Sequence, residues 1–436
     1  MSWTGNHQKR KTALERFLSI FAAVHREEAL TALLMMMNIF ILLTAYYIIK
    51  PVREALILSG PGAEIKSYAG AGQAILFWLL LPFYGAFAGR VNRVRLLNGV
   101  TAFFISNLLI FYFLGRLGVQ FGVAFYLWVG LFNLMMVAQF WALATDIYSQ
   151  EQGRRLFAVV GVGGSLGAIF GSAVADRLFK PLGPNSMMLL AAGVLSICII
   201  LTTWIHYRES DHDPERQQLA AQAIGSSGGF HLVLKDRYLF LIAILILLAN
   251  LVSSTGEFIL GKMVAQQMKT PDAIGQFYAD FYFWVNIVGV ALQMFAVSRI
   301  MKYLGITPAL FFLPLIALSS YGAIAFAPVL QFVRFIKIAE TSTDYSIQNT
   351  ARHALFLRTS REAKYKAKAA IDSFFWRAGD ALSGVLVFIG TRLAFGLRSF
   401  AMVNAIFVLV WLGVAIAITR YREQGVVSQQ EVRRVA

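Results

Sequence analysis

The sequence predicts an all-α membrane protein of about twelve transmembrane helices in two six-helix bundles. Three observations predict it. Of the 436 residues, 58% are apolar and only 14% are charged, which excludes disorder and argues against an ordinary soluble fold. Between Leu33 and Tyr421 the apolar residues gather into runs separated by short charged loops. Each run, with its flanks, supplies the roughly 20 helical residues that cross a bilayer core of about 30 Å. The runs also lack the two-residue alternation of barrel strands, and in lipid only closed barrels and helices satisfy their own backbone.

The elements follow in chain order. Residues 1–28 are expected to form a cytoplasmic segment. In it Leu14, Phe17, Leu18 and Phe21 share one face opposite Glu15, Arg16 and Ser19, as in a short amphipathic helix lying on the membrane. The first apolar run is read as a span rather than a cleavable signal, since no small-residue cleavage site follows it. The first bundle, 29–206, holds apolar runs at 33–49, 75–88, 102–114, 125–143, 157–175 and 189–204. Residues 207–236 are charged and turn-rich, with Gly225-Ser-Ser-Gly-Gly229 near their end, and read as a hydrated cytoplasmic linker. The second bundle, 237–421, holds runs at 239–259, 277–297, 309–325, 329–347, 367–389 and 400–418. Residues 422–436 are a cytoplasmic tail too short to fold alone.

The formal charge of +16 suggests nucleic acid until its placement is considered. Roughly two-thirds of the lysines and arginines fall in alternate loops and the termini, as topogenic charge does. They include Lys9, Arg10 and Lys11, Arg90, Arg93 and Arg95, Arg154 and Arg155, Arg299 and Lys302, the stretch 352–368, and Arg420, Arg422, Arg433 and Arg434. Both termini are therefore expected inside, and no nucleic-acid partner is expected. The single cysteine, Cys198, sits in an apolar run and reads as a small core residue. No histidine-glutamate zinc motif, nucleophile elbow or phosphate loop is present, so no enzyme activity, catalytic residue, metal or cofactor is expected.

Gly163, Gly167 and Gly171 recur every four residues in the fifth run, a thin stripe expected to bring two helices close. A ligand-facing role for the same stripe is the alternative. A phosphate-cradling loop is excluded, because such loops follow a strand and precede a helix.

Ionisable residues inside spans cost at least about 2.5–3.5 kcal/mol each, so they face a cavity or a partner. Span one ends on Lys50, Arg53 and Glu54; span seven carries Glu257 near Lys262, and span eight begins with Asp280. Arg334, Lys337, Glu340 and Asp344 are three or four residues apart and predict one continuous polar stripe on span ten. Lys368 with Asp372, and Arg377 with Asp380, repeat that spacing on span eleven and read first as mutual pairs. Lys50 and Arg53 share only one adjacent carboxylate, which suits a cavity wall for an anion.

Six spans, a linker and six spans is the layout of major facilitator transporters. Gly85-Ala-Phe-Ala-Gly89-Arg90-Val-Asn92-Arg93-Val-Arg95 resembles their loop motif, with Gly89 at the acidic position. The chain also resembles the ATP/ADP translocase family of nucleotide transporters of plastids and intracellular bacteria. The resemblance rests on Tyr46-x-x-Ile49-Lys50-x-x-Arg53-Glu54-x-Leu56, on Phe140-Trp141, and on 151–163. It rests most on Lys364-x-Lys366-Ala-Lys368-Ala-Ala-Ile-Asp372, with Tyr345-Ser346 upstream. Arg53 stands where the family has a nucleotide-contacting lysine, Val129 near an expected acidic residue, and Asp380 where a lysine follows a glycine.

The resemblance implies a secondary transporter, working by alternating access and exchanging nucleotides or other phosphorylated metabolites, ATP and ADP among them. Lys50, Arg53, Arg334, Lys337 and Arg377 are expected to bind the anion, with Glu54, Glu340, Asp344, Asp372 and Asp380 as coupling or charge-partner residues. The alternative is a proton-coupled transporter of another amphiphilic solute or lipid, with Asp380 and Glu340 titrating. The expected setting is the lipid bilayer of a bacterial inner membrane, with the protein a monomer.

Overall fold

A computed structural model describes residues 28–88, 93–209, 229–359 and 366–435. The expected amphipathic segment before residue 28, most of the linker and part of the 85–95 loop lie outside them.

The first four helices are α1 (Ala29–Ser59), α2 (Ala63–Ala88), α3 (Arg93–Arg116) and α4 (Gly122–Ile147). The helical stretch Gln150–Glu209 breaks at Gly183, whose φ of 69° and ψ of 169° suit glycine, flanked by Pro181 and Pro184. The break divides it into α5 (150–182) and α6 (184–209). After the short helix Gly229–Lys235 comes α7 (Arg237–Gln267), where the Asp236 carboxylate caps the N–H groups of Tyr238 and Leu239. Helix α8 starts at Pro271–Ala291, passes through a π-helical segment, Leu292–Val297, and ends in Ser298–Tyr303. Helix α9 is Ile306–Phe326, and α10 runs from Leu330–Thr343 through a second π segment, Asp344–Gln348, to Asn349–Leu355. Helix α11 runs from Lys368–Ala370 through a further π segment, Ile371–Phe375, to Trp376–Arg392, and α12 is Leu397–Val435.

Eight stretches are long and apolar enough to cross a membrane, and one of them, Arg155–Arg208, contains both α5 and α6. With α2, α10 and α11 the described residues make twelve long helices. Three boundaries differ from the sequence reading. Helix α2 begins about three turns before its apolar run, because Pro61 and Gly62 break the chain and Glu64 sits in the first helical turn. Residues 207–209 and 229–235, read as linker, are helical, as is the chain through Val435, read as tail.

Each half has its own apolar core. One gathers Met35, Ile39, Phe104, Phe132, Phe140, Leu156 and Leu195; the other gathers Ile242, Ile259, Leu310, Val333, Phe400 and Trp411. In the first half α5 lies directly on α1. A Cβ on Gly163 would stand 2.3 Å from the Met36 carbonyl oxygen, on Gly167 2.3 Å from that of Phe40, and on Gly171 2.4 Å from that of Thr44. The Thr44 hydroxyl donates across this contact to the Gly167 carbonyl at 3.3 Å, and Asn38 ties α1 to Thr202 of α6 at 2.9 Å.

The halves meet mainly on the side away from the linker. There a Cβ on Gly384 of α11 would touch Ala71 of α2, and one on Gly275 of α8 would collide with the Phe179 ring of α5. Gln276 of α8 donates to the Asp176 carboxylate of α5 at 2.8 Å. Nearer the middle, Asn286 of α8 donates to the Ala168 carbonyl at 3.2 Å, and on the linker side Trp78 stacks on Phe374, which also meets Phe230. Towards the linker α4 makes no extended contact with the second half.

Candidate functional site

The charged ends of α1 and α7 converge with α2, α4, α8, α10 and α11 near the middle of the molecule. Lys50 is 7% exposed and points into a ring of tyrosines. Its Nζ lies 4.0 Å from the ring centre of Tyr282, 5.2 Å from Tyr47, and 5.9 Å from both Tyr46 and Tyr345. Two rings come from the first half and two from the second. Among the described residues no carboxylate pairs with Lys50. Aromatic faces attract a desolvated cation by about 2 kcal/mol, but they bring no negative charge, so the ammonium stays available to an anion.

The sequence reading had Lys50 and Arg53 sharing Glu54; the structure gives the second place to Lys66. The Arg53 guanidinium donates to Glu54 Oε1 through Nε at 3.0 Å and through Nη2, and lies 5.0 Å from the centre of the Tyr126 ring. Lys66 Nζ lies 2.7 Å from Glu54 Oε2. Glu54 is fully buried, and two cations offset the cost of that burial. Lys66 also lies 3.7 Å from Glu257, a carboxylate 53% exposed although it sits inside α7. Lys262, read beside Glu257, instead pairs with Glu64 of α2 at 2.9 Å.

The polar stripe on α10 divides: only Lys337 and Glu340 pair within it, and its two ends go elsewhere. Arg334 turns outward to Asp280 of α8. It lines a separate cleft of about 670 Å³ on the face away from the linker, with Asp176, Lys180, Asp272 and Gln276. Lys337 and Glu340 pair at 2.7 Å inside the second half, 1% and 4% exposed, and the Tyr321 hydroxyl donates to Glu340 at 3.1 Å. Asp344 opens the π segment of α10 and makes no ion pair among the described residues. The next residue, Tyr345, is 47% exposed beside Lys50.

On α11, Lys368 pairs with Asp372 at 2.8 Å, and Arg377 with Asp380 at 3.2 Å. Asp380 also accepts from Ser254 at 2.7 Å and Asn250 at 2.9 Å, tying α11 to α7. Arg377 lies over Phe77 of α2, 4.5 Å from its centre, so it too reaches the junction of the halves. Of the expected anion-binding residues, Lys50, Arg53 and Arg377 thus face that junction, whereas Lys337 is sealed in a core and Arg334 lies in the other cleft. Sequence reasoning missed Lys66, Glu64 and the tyrosine ring. The repeated tyrosines flanking Lys50, at 46 and 47, were the available signal.

Known proteins resemble this chain in sequence and in fold. The chain is 23% identical to ADP,ATP carrier protein 1 of Chlamydia trachomatis over 95% of its own length and 93% of the carrier's. It is 20% identical to ADP,ATP carrier protein 5 of Rickettsia prowazekii, covering 85% of this chain and 88% of that one. Among solved structures, the nucleoside transporter NupG superposes with a TM-score of 0.64 at 13% identity, over 89% of this chain and 98% of that one. A bacterial homologue of the iron transporter ferroportin, in an inward-facing state, gives 0.63 at 14% identity, over 89% and 98% of the two chains. These structures share the fold. The Major Facilitator Superfamily profile matches residues 29–339, well over half of the chain. With twelve helices in two halves around a charged junction, this integral membrane protein belongs to the Major Facilitator Superfamily of secondary transporters.

Proposed function

We propose that this transporter carries an organic anion, a nucleotide or another phosphorylated metabolite, by alternating access around Lys50. One observation carries the reading: Lys50 is a buried cation held by rings from both halves and paired with no carboxylate among the described residues. A desolvated cation without a counter-charge gains most from an anion that reaches it. Arg53, shared with Glu54, and Arg377, shared with Asp380, add positive charge nearby. The names of the chlamydial and rickettsial carriers support nucleotides within that class. Loop charge supports a cytoplasmic side for the termini and the linker, and the bacterial carriers that the chain resembles support a bacterial inner membrane as the setting.

The test is uptake into proteoliposomes of labelled ATP, ADP and sugar phosphates, with and without unlabelled substrate inside. Uptake of a phosphorylated solute that requires internal counter-substrate is expected. Transport of none of these, with a neutral solute carried instead, would overturn the reading. A second reading, proton coupling, is favoured by the exposed carboxylate of Glu257 inside α7. It predicts uptake that collapses with a protonophore, whereas exchange is indifferent to one.

A further inference from the structure

Helices α2 and α7 belong to opposite halves and meet on the closed side, where they carry two ion pairs of opposite polarity. Glu64 of α2 faces Lys262 of α7 at 2.9 Å, and Lys66 of α2 faces Glu257 of α7 at 3.7 Å. The two pairs are unequal. Lys262 has no other carboxylate among the described residues, but Lys66 lies a full ångström closer to Glu54, at 2.7 Å, than to Glu257. Glu54 is in turn held by Arg53, the neighbour of the tyrosine-ringed Lys50. A chain of charges therefore runs from the central junction to the seam between the halves: Arg53, Glu54, Lys66, Glu257.

We infer that Lys66 is a positioning residue of the transport cycle: the two α2–α7 ion pairs latch the linker-distal side shut, and Glu54 sets how firmly Lys66 engages that latch. The physical basis is competition for one ammonium. When Arg53 takes more of the Glu54 charge, Lys66 is freer to close on Glu257. When Arg53 is drawn away, Glu54 holds Lys66 and the seam loosens. Both partners of Lys66 are carboxylates, so the exchange moves no net charge into the protein. An exchange between two discrete pairings is the kind of bistable contact by which packed domains switch. The latch does not depend on which solute the junction binds.

The seam offers its own reporter. A Cβ built on Gly261 of α7 lies 3.8 Å from Ala63 Cβ of α2, the separation of about 3.8 Å that a disulfide takes. In the full-length transporter with Cys198→Ala, the pair Ala63→Cys and Gly261→Cys should cross-link readily under mild oxidation, at a rate that follows closure of the seam. Glu64→Lys or Lys262→Glu added alone should slow it about threefold, the size expected of one partly exposed ion pair. The two together should restore the rate, since the pair is remade with reversed sign.

The decisive contrast is at the other end of the chain of charges. Glu54→Gln releases Lys66 to Glu257 and should speed cross-linking, whereas Arg53→Gln leaves Glu54 wholly to Lys66 and should slow it. Glu257→Gln should slow it and abolish the difference between those two variants. A merely structural role for Glu54 and Arg53 would move both in the same direction, and that result would overturn the link through Lys66. Failure of the double charge exchange to recover the rate would overturn the latch. Should Glu54→Gln not fold, Arg53→Gln with and without Glu257→Gln decides alone: slowing that persists without Glu257 refutes the inference.

Discussion

Gly167 lies where α5 and α1 are closest, and the cost of a single methyl group there follows from the structure. In Gly167→Ala the new Cβ would stand 2.3 Å from the Phe40 carbonyl oxygen, 2.9 Å from its Cα and 3.0 Å from its carbonyl carbon. Non-bonded contacts settle at about 3.5–4.0 Å, so the two helices must part by roughly 1 Å. All three obstructing atoms are backbone, and no side chain can swing aside. Separation at Gly167 also loosens the matching contacts of Gly163 and Gly171, and it stretches the 3.3 Å hydrogen bond from Thr44. Overpacking of this kind costs about 1–3 kcal/mol. Gly161, on the same helix, has nothing within 4 Å of its Cβ position. Gly161→Ala should therefore stabilise by about 0.4–1 kcal/mol, since alanine narrows the unfolded ensemble at no steric cost. Apparent melting temperatures of the purified variants, scanned at one rate, test the pair: Gly167→Ala should melt several degrees lower and Gly161→Ala slightly higher. Equal melting of the two variants would refute the close-packing argument.

Two further outcomes follow from the same physics. Lys50→Met should weaken binding of ATP, or of whichever organic phosphate is transported, at least about tenfold, or 1.4 kcal/mol. Its melting temperature should not fall, because an unpaired charge is replaced by an apolar chain; a lowered melting point with intact affinity would make Lys50 a structural anchor instead. Lys337→Met should destabilise the second half by about 3–5 kcal/mol, since it leaves Glu340 buried without its cation. Adding Glu340→Leu should recover most of that loss, and a double variant as unstable as the single one would show that the two residues act separately.

The twelve helices were legible because lipid imposes one demand, a long apolar run, that needs no knowledge of partners. The site was legible only in part. Lys50 and Arg53 announced themselves as charges at the end of an apolar run. Lys66 and Glu64 did not, since the turn Gly60-Pro61-Gly62 and the polar residues after it read as a loop, whereas the helix had already begun at Ala63. The stripe on α10 misled for a different reason. Spacing of three or four residues shows which side chains share a face of one helix, but Arg334 chose Asp280 on a neighbouring helix, and Lys337, though it kept Glu340 three residues on, turned with it into a core. Partner choice between helices is set by tertiary distance, which a single sequence leaves open.

π-helical segments at 292–297, 344–348 and 371–375 interrupt helices of the second half, and the first half has none among the described residues. Each inserts an extra residue into a turn and weakens the local ladder of backbone hydrogen bonds. The two halves, though built alike, are therefore mechanically unequal: one is a stiff jaw and the other is jointed. Backbone amides around those three joints should exchange with solvent deuterium sooner than amides at matching depth in α2, α4 and α5. Ligands or substitutions that straighten the joints should then slow the cycle of the whole transporter while touching only one side of it.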